Sequence, residues 1–222
     1  MAGLLVIGAS RGIGLEWVRQ ARADGVRVVA TARREADVQA LAALGATAFA
    51  LDVADVASTA GLAWRLDGEG FDQAVFNAGV YGPRSAALDA PTEADFDAVM
   101  HTNVLGAMRV LPQLAECLAP GGVLAVLSSR MGSIGARASS AGWLYRASKA
   151  ALNSVLRDVS LALAGRATCV ALHPGWVRTD MGGTGADLEV TDSVAQLRRL
   201  LAGLGPADNG RFLNHDGQPI PW

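Results

Sequence analysis

Tyr145 and Lys149 are the two residues of this chain best suited to move a proton together. The sequence holds one lysine and two tyrosines, and it sets Lys149 four positions after Tyr145. On a helix that spacing is about one turn, so both side chains share a face. A free tyrosine titrates at about pH 10, too high for efficient proton exchange at neutral pH. A neighbouring ammonium favours the phenolate, so Lys149 is expected to lower the Tyr145 pKa. The competing reading is two surface residues at helical spacing.

A second group could hold an anion. Gly8-Ala9-Ser10-Arg11-Gly12-Ile13-Gly14 directly follows the apolar run Leu4–Ile7. Glycines there permit a tight turn and close approach of backbone to a pyrophosphate. A helix starting at that point would add free N–H groups and partial positive charge. A glycine pattern alone can also be a simple turn; its place between strand and helix gives it weight. About 20 residues on, NAD-binding folds present an acid to the ribose hydroxyls. Here Ala32 holds that slot, followed by Arg33-Arg34. Without a repelling carboxylate, Arg33 can pair with a 2′-phosphate, with Arg11 on the same side. The expected cofactor is therefore NADP(H). The bland alternative for Arg33-Arg34 is a solvated basic start to the next helix.

These residues need a frame. Leu4–Ile7, Val26–Ala30, Thr47–Leu51, Ala74–Phe76, Val123–Leu127 and Thr168–Leu172 read as buried strands, with a last short strand near Arg211–Asn214. Helical patterns lie between them, at Gly14–Ala23, Ala36–Leu44, Ser58–Leu66, Thr92–Leu118, Leu144–Ala164 and about Thr191–Ala202. Thr92 suits an N-cap, and Pro112 should kink or break its helix. This alternation implies an α/β fold: one doubly wound Rossmann-type domain over residues 1–222, its parallel sheet flanked by helices on both faces. Ligands in such sheets bind beyond the carboxyl ends of the strands.

Composition narrows the classes. With 222 residues, 51% hydrophobic and 18% charged, the chain can fill a sizeable core. A net charge of −2 gives no global field for nucleic acid. Cys117 and Cys169 have no CxxC spacing, which argues against a disulfide scaffold and fits a reducing compartment. The apolar start Met1–Gly8 lacks a basic region and is short for a signal peptide, and no later run is long enough to span a membrane. A cytoplasmic protein is expected. His101, His173 and His215 show no metal spacing, so no metal is expected.

Taken together, Gly8-x-x-x-Gly12-x-Gly14, Asn77-Ala78-Gly79, Asn103, Ser128-Ser129, Tyr145-x-x-x-Lys149 and Pro174-Gly175 resemble the short-chain dehydrogenase/reductase family, over essentially the whole chain. Ser128–Ile134, Tyr145–Asn153 and the Gly217–Trp222 tail look similar to its C-factor and sniffer-type carbonyl reductases. The resemblance implies that Tyr145 is the general acid in reduction and the base in oxidation. It implies that Lys149 lowers the Tyr145 pKa and holds the nicotinamide ribose. Ser129 would bind the carbonyl oxygen, and Asn103 would hold a water linking Lys149 to solvent. Asp52 and Val53 would lie along the adenine, and Asn77-Ala78-Gly79 beside the cofactor. After Pro174-Gly175, Val177 and Thr179 would fix the nicotinamide amide. A homodimer or homotetramer, seamed by the long helices, is expected by resemblance only.

There are departures. Ile7 and Phe76 replace a common Thr and Asn. Ser129 stands 16 positions before Tyr145, where about 13 is usual, so an insertion within Gly132–Gly142 is expected. Ser133 is then a rival; Ser129 is favoured because it directly follows a strand that can place it.

Other residues have plainer readings. His173 reads as a hydrogen-bonded turn residue and Tyr81 as a surface-loop residue, reach into the pocket being its alternative. Trp143 and Trp176 could form an aromatic wall or simply pack. Trp222 should pack across a subunit boundary or onto the pocket. Met181–Val190, rich in glycine, reads as a short flexible lid over an open pocket. The expected activity is NADPH-dependent reduction of a small aldehyde or ketone. Its rivals are alcohol oxidation on the same fold and a cofactor-sensing signalling protein.

Overall fold

The computed structural model describes residues 3–84 and 88–222; Met1 and Ala2 of the apolar start lie outside them. Seven strands form one sheet: β1 (Gly3–Ile7), β2 (Arg27–Ala32), β3 (Thr47–Ala50), β4 (Phe71–Phe76), β5 (Leu118–Leu127), β6 (Thr168–His173) and β7 (Arg211–Asn214). Their order is β3-β2-β1-β4-β5-β6-β7, and every neighbouring pair is parallel. The winding reverses between β1 and β4, which opens a crevice at the carboxyl ends of those strands.

Strand periodicity divides the apolar residues between two cores. On β1, Leu4 and Val6 join Trp17, Val18, Leu41, Val194 and Leu197 on one face. Leu5 and Ile7 join Phe76, Leu111, Leu152 and Leu156 on the other. Helices α1 (Gly12–Ala23), α2 (Glu35–Ala43) and α8 (Val190–Gly203) thus cover the first face. Helices α3 (Val56–Thr59), α4 (Leu62–Arg65), α5 (Glu93–Met100), α6 (Gly106–Glu116) and α7 (Trp143–Ala162) lie on the second.

The helix expected over Thr92–Leu118 is continuous but irregular. The Thr92 side chain caps it, accepting from the Asp95 amide at 3.1 Å. Its irregularity is a π-helical turn at His101–Leu105, not a break at Pro112. Pro112 sits inside α6. It frees only the carbonyl of Met108, which lies on the exposed side where water can take that carbonyl. The expected helix Ser58–Leu66 is instead two short pieces, α3 and α4, separated by Gly61 at φ +75°. Among the described residues, no helix is long and apolar enough to cross a membrane.

Candidate active site

The glycine turn forms the floor of a cleft of about 420 Å³ at the crevice. Gly8 takes φ +88°, and a Cβ there would lie 2.9 Å from the Ala78 backbone. A left-handed conformation and a close approach both require glycine. Asn77 Nδ2 donates to the Gly8 carbonyl at 2.5 Å, and Thr31 accepts from the Gly8 and Ala9 amides. The turn is therefore anchored from both neighbouring strands.

Gly8, Ser10, Arg11, Gly12 and Ile13 line the cleft, with Ala32 and Arg33 from the end of β2. Leu51, Asp52 and Val53 follow β3, and Asn77, Ala78, Gly79 and Val80 follow β4. Tyr145, Lys149, Pro174 and Thr179 complete the residues expected there. Gly14, Gly175, Val177, Asn103 and Ser129 do not line this volume. A Cβ on Gly14 would strike the Gly8 carbonyl at 2.3 Å, so that glycine serves helix-to-strand packing beneath the turn. Gly175, at φ +89°, turns the chain against His215 and Leu188. Val177 is buried and bridges Leu188.

One face of α7 meets the end of β5. Tyr145, Lys149 and Asn153 are spaced four apart, and each engages one of three consecutive residues. Lys149 Nζ donates to the Leu127 carbonyl at 2.7 Å. Ser128 Oγ donates to Asn153 Oδ1 at 2.5 Å. The Ser129 side chain lies near enough to the Tyr145 phenol to pull its pKa down, and its hydroxyl accepts from the Met131 amide at 3.1 Å. Strand end and helix face thus bring Ser129, Tyr145 and Lys149 together. Ser133 is elsewhere: its hydroxyl donates to the Pro221 and Trp222 carbonyls and accepts from the Ala136 amide. The expected insertion therefore holds the end of the chain, and Ser133 has no hydroxyl to spare for a substrate.

The Tyr145 pKa shifts against expectation. Burial raises it, the Ser129 hydroxyl pulls it down, and Tyr81 adds to the rise. Lys149 is not among its causes, because burial depresses that amine to about 8 and it binds a main-chain carbonyl. In the protein alone, Tyr145 is a protonated acid.

Asn103 is fully buried on the π turn. Its amide accepts from Val80 N and donates to Val80 O, both at 2.8 Å, and donates to Ser148 Oγ at 2.9 Å. Both amide protons are spent, so any water there must rest on an Asn103 oxygen. A methyl on Gly79 would lie 3.3 Å from Asn103 Oδ1 and 3.4 Å from Lys149 Nζ. That glycine keeps the space between them open.

The segment after Thr179 is tied down despite its glycines. Arg11 pairs with Asp180 at 2.7 Å, so its guanidinium meets a carboxylate where a 2′-phosphate was expected. Arg84 donates to the Met181 carbonyl at 2.8 Å, and Trp176 Nε1 to the Gly182 carbonyl at 2.9 Å. Arg34 is engaged by Asp37 at 2.8 and 2.9 Å, which leaves Arg33 as the arginine of that pair on the cleft.

Three plain readings change, and Trp143 gains a partner that settles neither of its two readings. Tyr81 stacks on Tyr145, ring centroids 4.6 Å apart. His173 Nδ1 is buried without a hydrogen-bond partner among the described residues. Trp143 donates to the Asp89 carbonyl at 3.0 Å. Trp222 stacks on Phe212 of its own chain, 5.4 Å away. Thr31, Ser148 and Asp180 escaped the sequence reading, which named Tyr81 but not its stack on Tyr145. Only Tyr81, just beyond a strand end at the crevice, carried a positional signal.

The family model described as enoyl-(acyl carrier protein) reductase matches residues 8–207. C-signal of Myxococcus xanthus is 40% identical over 68% of this chain and 92% of its own length. A short-chain dehydrogenase/reductase of Burkholderia multivorans, solved with bound NADP, superposes with a TM-score of 0.90. It is 33% identical and covers 100% of this chain and 99% of its own. The carbonyl reductase Sniffer of D. melanogaster gives 0.88 at 30% identity, with both chains fully covered. The chain belongs to the short-chain dehydrogenase/reductase family of oxidoreductases.

Proposed function

We propose that this protein reduces a small aldehyde or ketone with NADPH. The observation that carries the reading is Tyr145 and Lys149 side by side on the wall of a cleft floored by the glycine turn, with Ser129 just behind that wall and near enough to lower the Tyr145 pKa. The residues fit the cofactor. Gly8 and its anchors leave backbone for a pyrophosphate, and Arg33 on the cleft supplies a partner for a 2′-phosphate. NADP-bound and carbonyl reductase relatives support the same choice.

When bound, NADPH supplies hydride to the carbonyl carbon. Ser129 and Tyr145 hold the carbonyl oxygen between two hydroxyls and set its orientation. Tyr145 gives its proton to that oxygen as negative charge develops. Burial keeps the phenol protonated in the protein alone, the form in which it can give a proton to the carbonyl oxygen; in alcohol oxidation the same group would act as phenolate. Lys149 would hold the ribose hydroxyls, and the space beside Gly79, between its amine and the Asn103 side chain, would admit a water able to return the proton. The neighbouring long helices are expected to seam a homo-oligomer, as the family resemblance implies.

A carbonyl panel with NADPH, run on wild type and Tyr145→Phe, tests this. Turnover should fall at least a thousandfold in the variant, while NADPH affinity by fluorescence titration stays within about twofold. Turnover unchanged by Tyr145→Phe overturns the mechanism. NADPH binding without turnover of any carbonyl favours a signalling protein, the reading that likeness to C-signal supports.

A further inference from the structure

Tyr81 leaves β4 on the loop that follows Asn77-Ala78-Gly79. The residue before it, Val80, has both main-chain hydrogen-bonding groups held by the Asn103 side chain at 2.8 Å. Asn103 also donates to Ser148 Oγ, which itself donates to the Tyr145 carbonyl at 2.8 Å. One buried amide thus connects the stem of the Tyr81 loop to the turn of α7 that carries Tyr145.

The consequence lies one residue on. The Tyr81 ring is nearly parallel to that of Tyr145, at 22° and 4.6 Å between centroids. Its hydroxyl end rests on Gly142, where α7 begins; a Cβ at Gly142 would be 2.4 Å from Tyr81 Oη. The Arg84 guanidinium lies 5.1 Å from the Tyr81 centroid and is tied in turn to the Met181 carbonyl. Tyr81 is therefore steadied through the backbone of Val80 before it, by packing of its hydroxyl end on Gly142 and through a cation contact.

We propose that Tyr81 is a positioning residue that fixes the plane of the Tyr145 phenol and keeps its hydroxyl aimed at Ser129. This rests on the reductase reading above. The phenol oxygen lies on the Cβ–Cγ axis and stays put when the ring turns, but its O–H bond prefers the ring plane, so a flat partner 4.6 Å away that fixes the plane also fixes the direction of the proton. Proton donation tolerates little misplacement of the donor, so the loss should fall on turnover. Asn103 then acts on the site by a second route, through Val80 and Tyr81.

Two substitutions separate planarity from the hydroxyl. Tyr81→Phe keeps the flat face and should leave kcat within about twofold. Tyr81→Leu removes it and should lower kcat about tenfold or more, with the NADPH Kd unchanged. Tyr81→Met, also non-planar, takes its place if Tyr81→Leu fails to fold. A turnover-independent readout uses the sequence itself: ¹³C-tyrosine labelling gives two residues' signals, from Tyr81 and Tyr145. In Tyr81→Leu, the Tyr145 ring signals should lose the shift imposed by a stacked neighbour.

The proposal is overturned if Tyr81→Leu retains wild-type kcat, or if Tyr81→Phe falls as far as Tyr81→Leu. Unmoved Tyr145 signals in Tyr81→Leu overturn it equally. Should wild type reduce no carbonyl at all, the reductase reading fails. The labelled spectra then still decide whether Tyr81 holds the ring.

Discussion

Lys149 carries its charge at a cost that can be measured. Burial lowers its pKa from 10.5 to about 8. The unfolded chain therefore binds the extra proton between those values, and stability rises with pH across that window. The contribution is full above about pH 10.5 and is lost as pH falls through 8. Denaturant titrations at pH 8 and pH 10 should show wild type gaining about 2 kcal/mol on Lys149→Met. The comparison must be with the variant, because Cys117 and Cys169 oppose the trend. Burial raises their thiols to about 11 and 12, so their share of stability is lost as pH rises. An equal pH dependence in both proteins would show that Lys149 is hydrated. The residue types and the four-position spacing were legible in the sequence. The direction of the Tyr145 shift was not, because it depends on burial and on a ring 64 positions earlier in the chain, at Tyr81.

Elements place these residues, and here the sequence spoke unevenly. Strand ends, glycine turn and the α7 face follow from local periodicity, so they were readable. The π turn was not, since its Asn103 is engaged by Val80 and Ser148 from distant elements. Pro112 advertised a break that did not come, because its helix face is wet. The long Ser129–Tyr145 spacing was visible as an insertion, but its work was hidden: Ser133, Ile134 and Gly135 all hydrogen-bond the Trp222 carbonyl. Two serines therefore separate by role. Ser133→Ala should loosen the tail and lower the melting temperature by a few degrees, since a hydrogen bond contributes about 1 kcal/mol. Its turnover should stay within about threefold. Ser129→Ala, which also gives up the bond from the Met131 amide, should lower the melting temperature no further than Ser133→Ala but lose turnover by about a hundredfold or more. The reverse pattern would reassign the carbonyl contact to Ser133.

At the scale of the molecule, one sheet is shared by two cores. Leu4 and Val6 feed one face while Leu5 and Ile7 feed the other, so neither core can open without disturbing β1. Trp17 is fully buried in the first, and Leu152 in the second. Trp17→Ala should cost about 3–5 kcal/mol and Leu152→Ala about 2–5 kcal/mol. Each should lower a single unfolding transition seen alike by calorimetry and circular dichroism. Two separated transitions in either variant would mean that the faces unfold independently. The doubly wound plan was legible because alternating strands and helices leave few topologies open. The side of the sheet each helix covers came only with the structure.

The scarcity of lysine has a practical consequence. Amine-directed labels, cross-linkers and immobilisation resins need an accessible primary amine. The one lysine side chain here is 4% exposed and fastened beneath a strand end. Acylation of that position should therefore proceed only as fast as the cleft opens. Mass spectrometry of the labelled peptide would time that opening without any engineered probe.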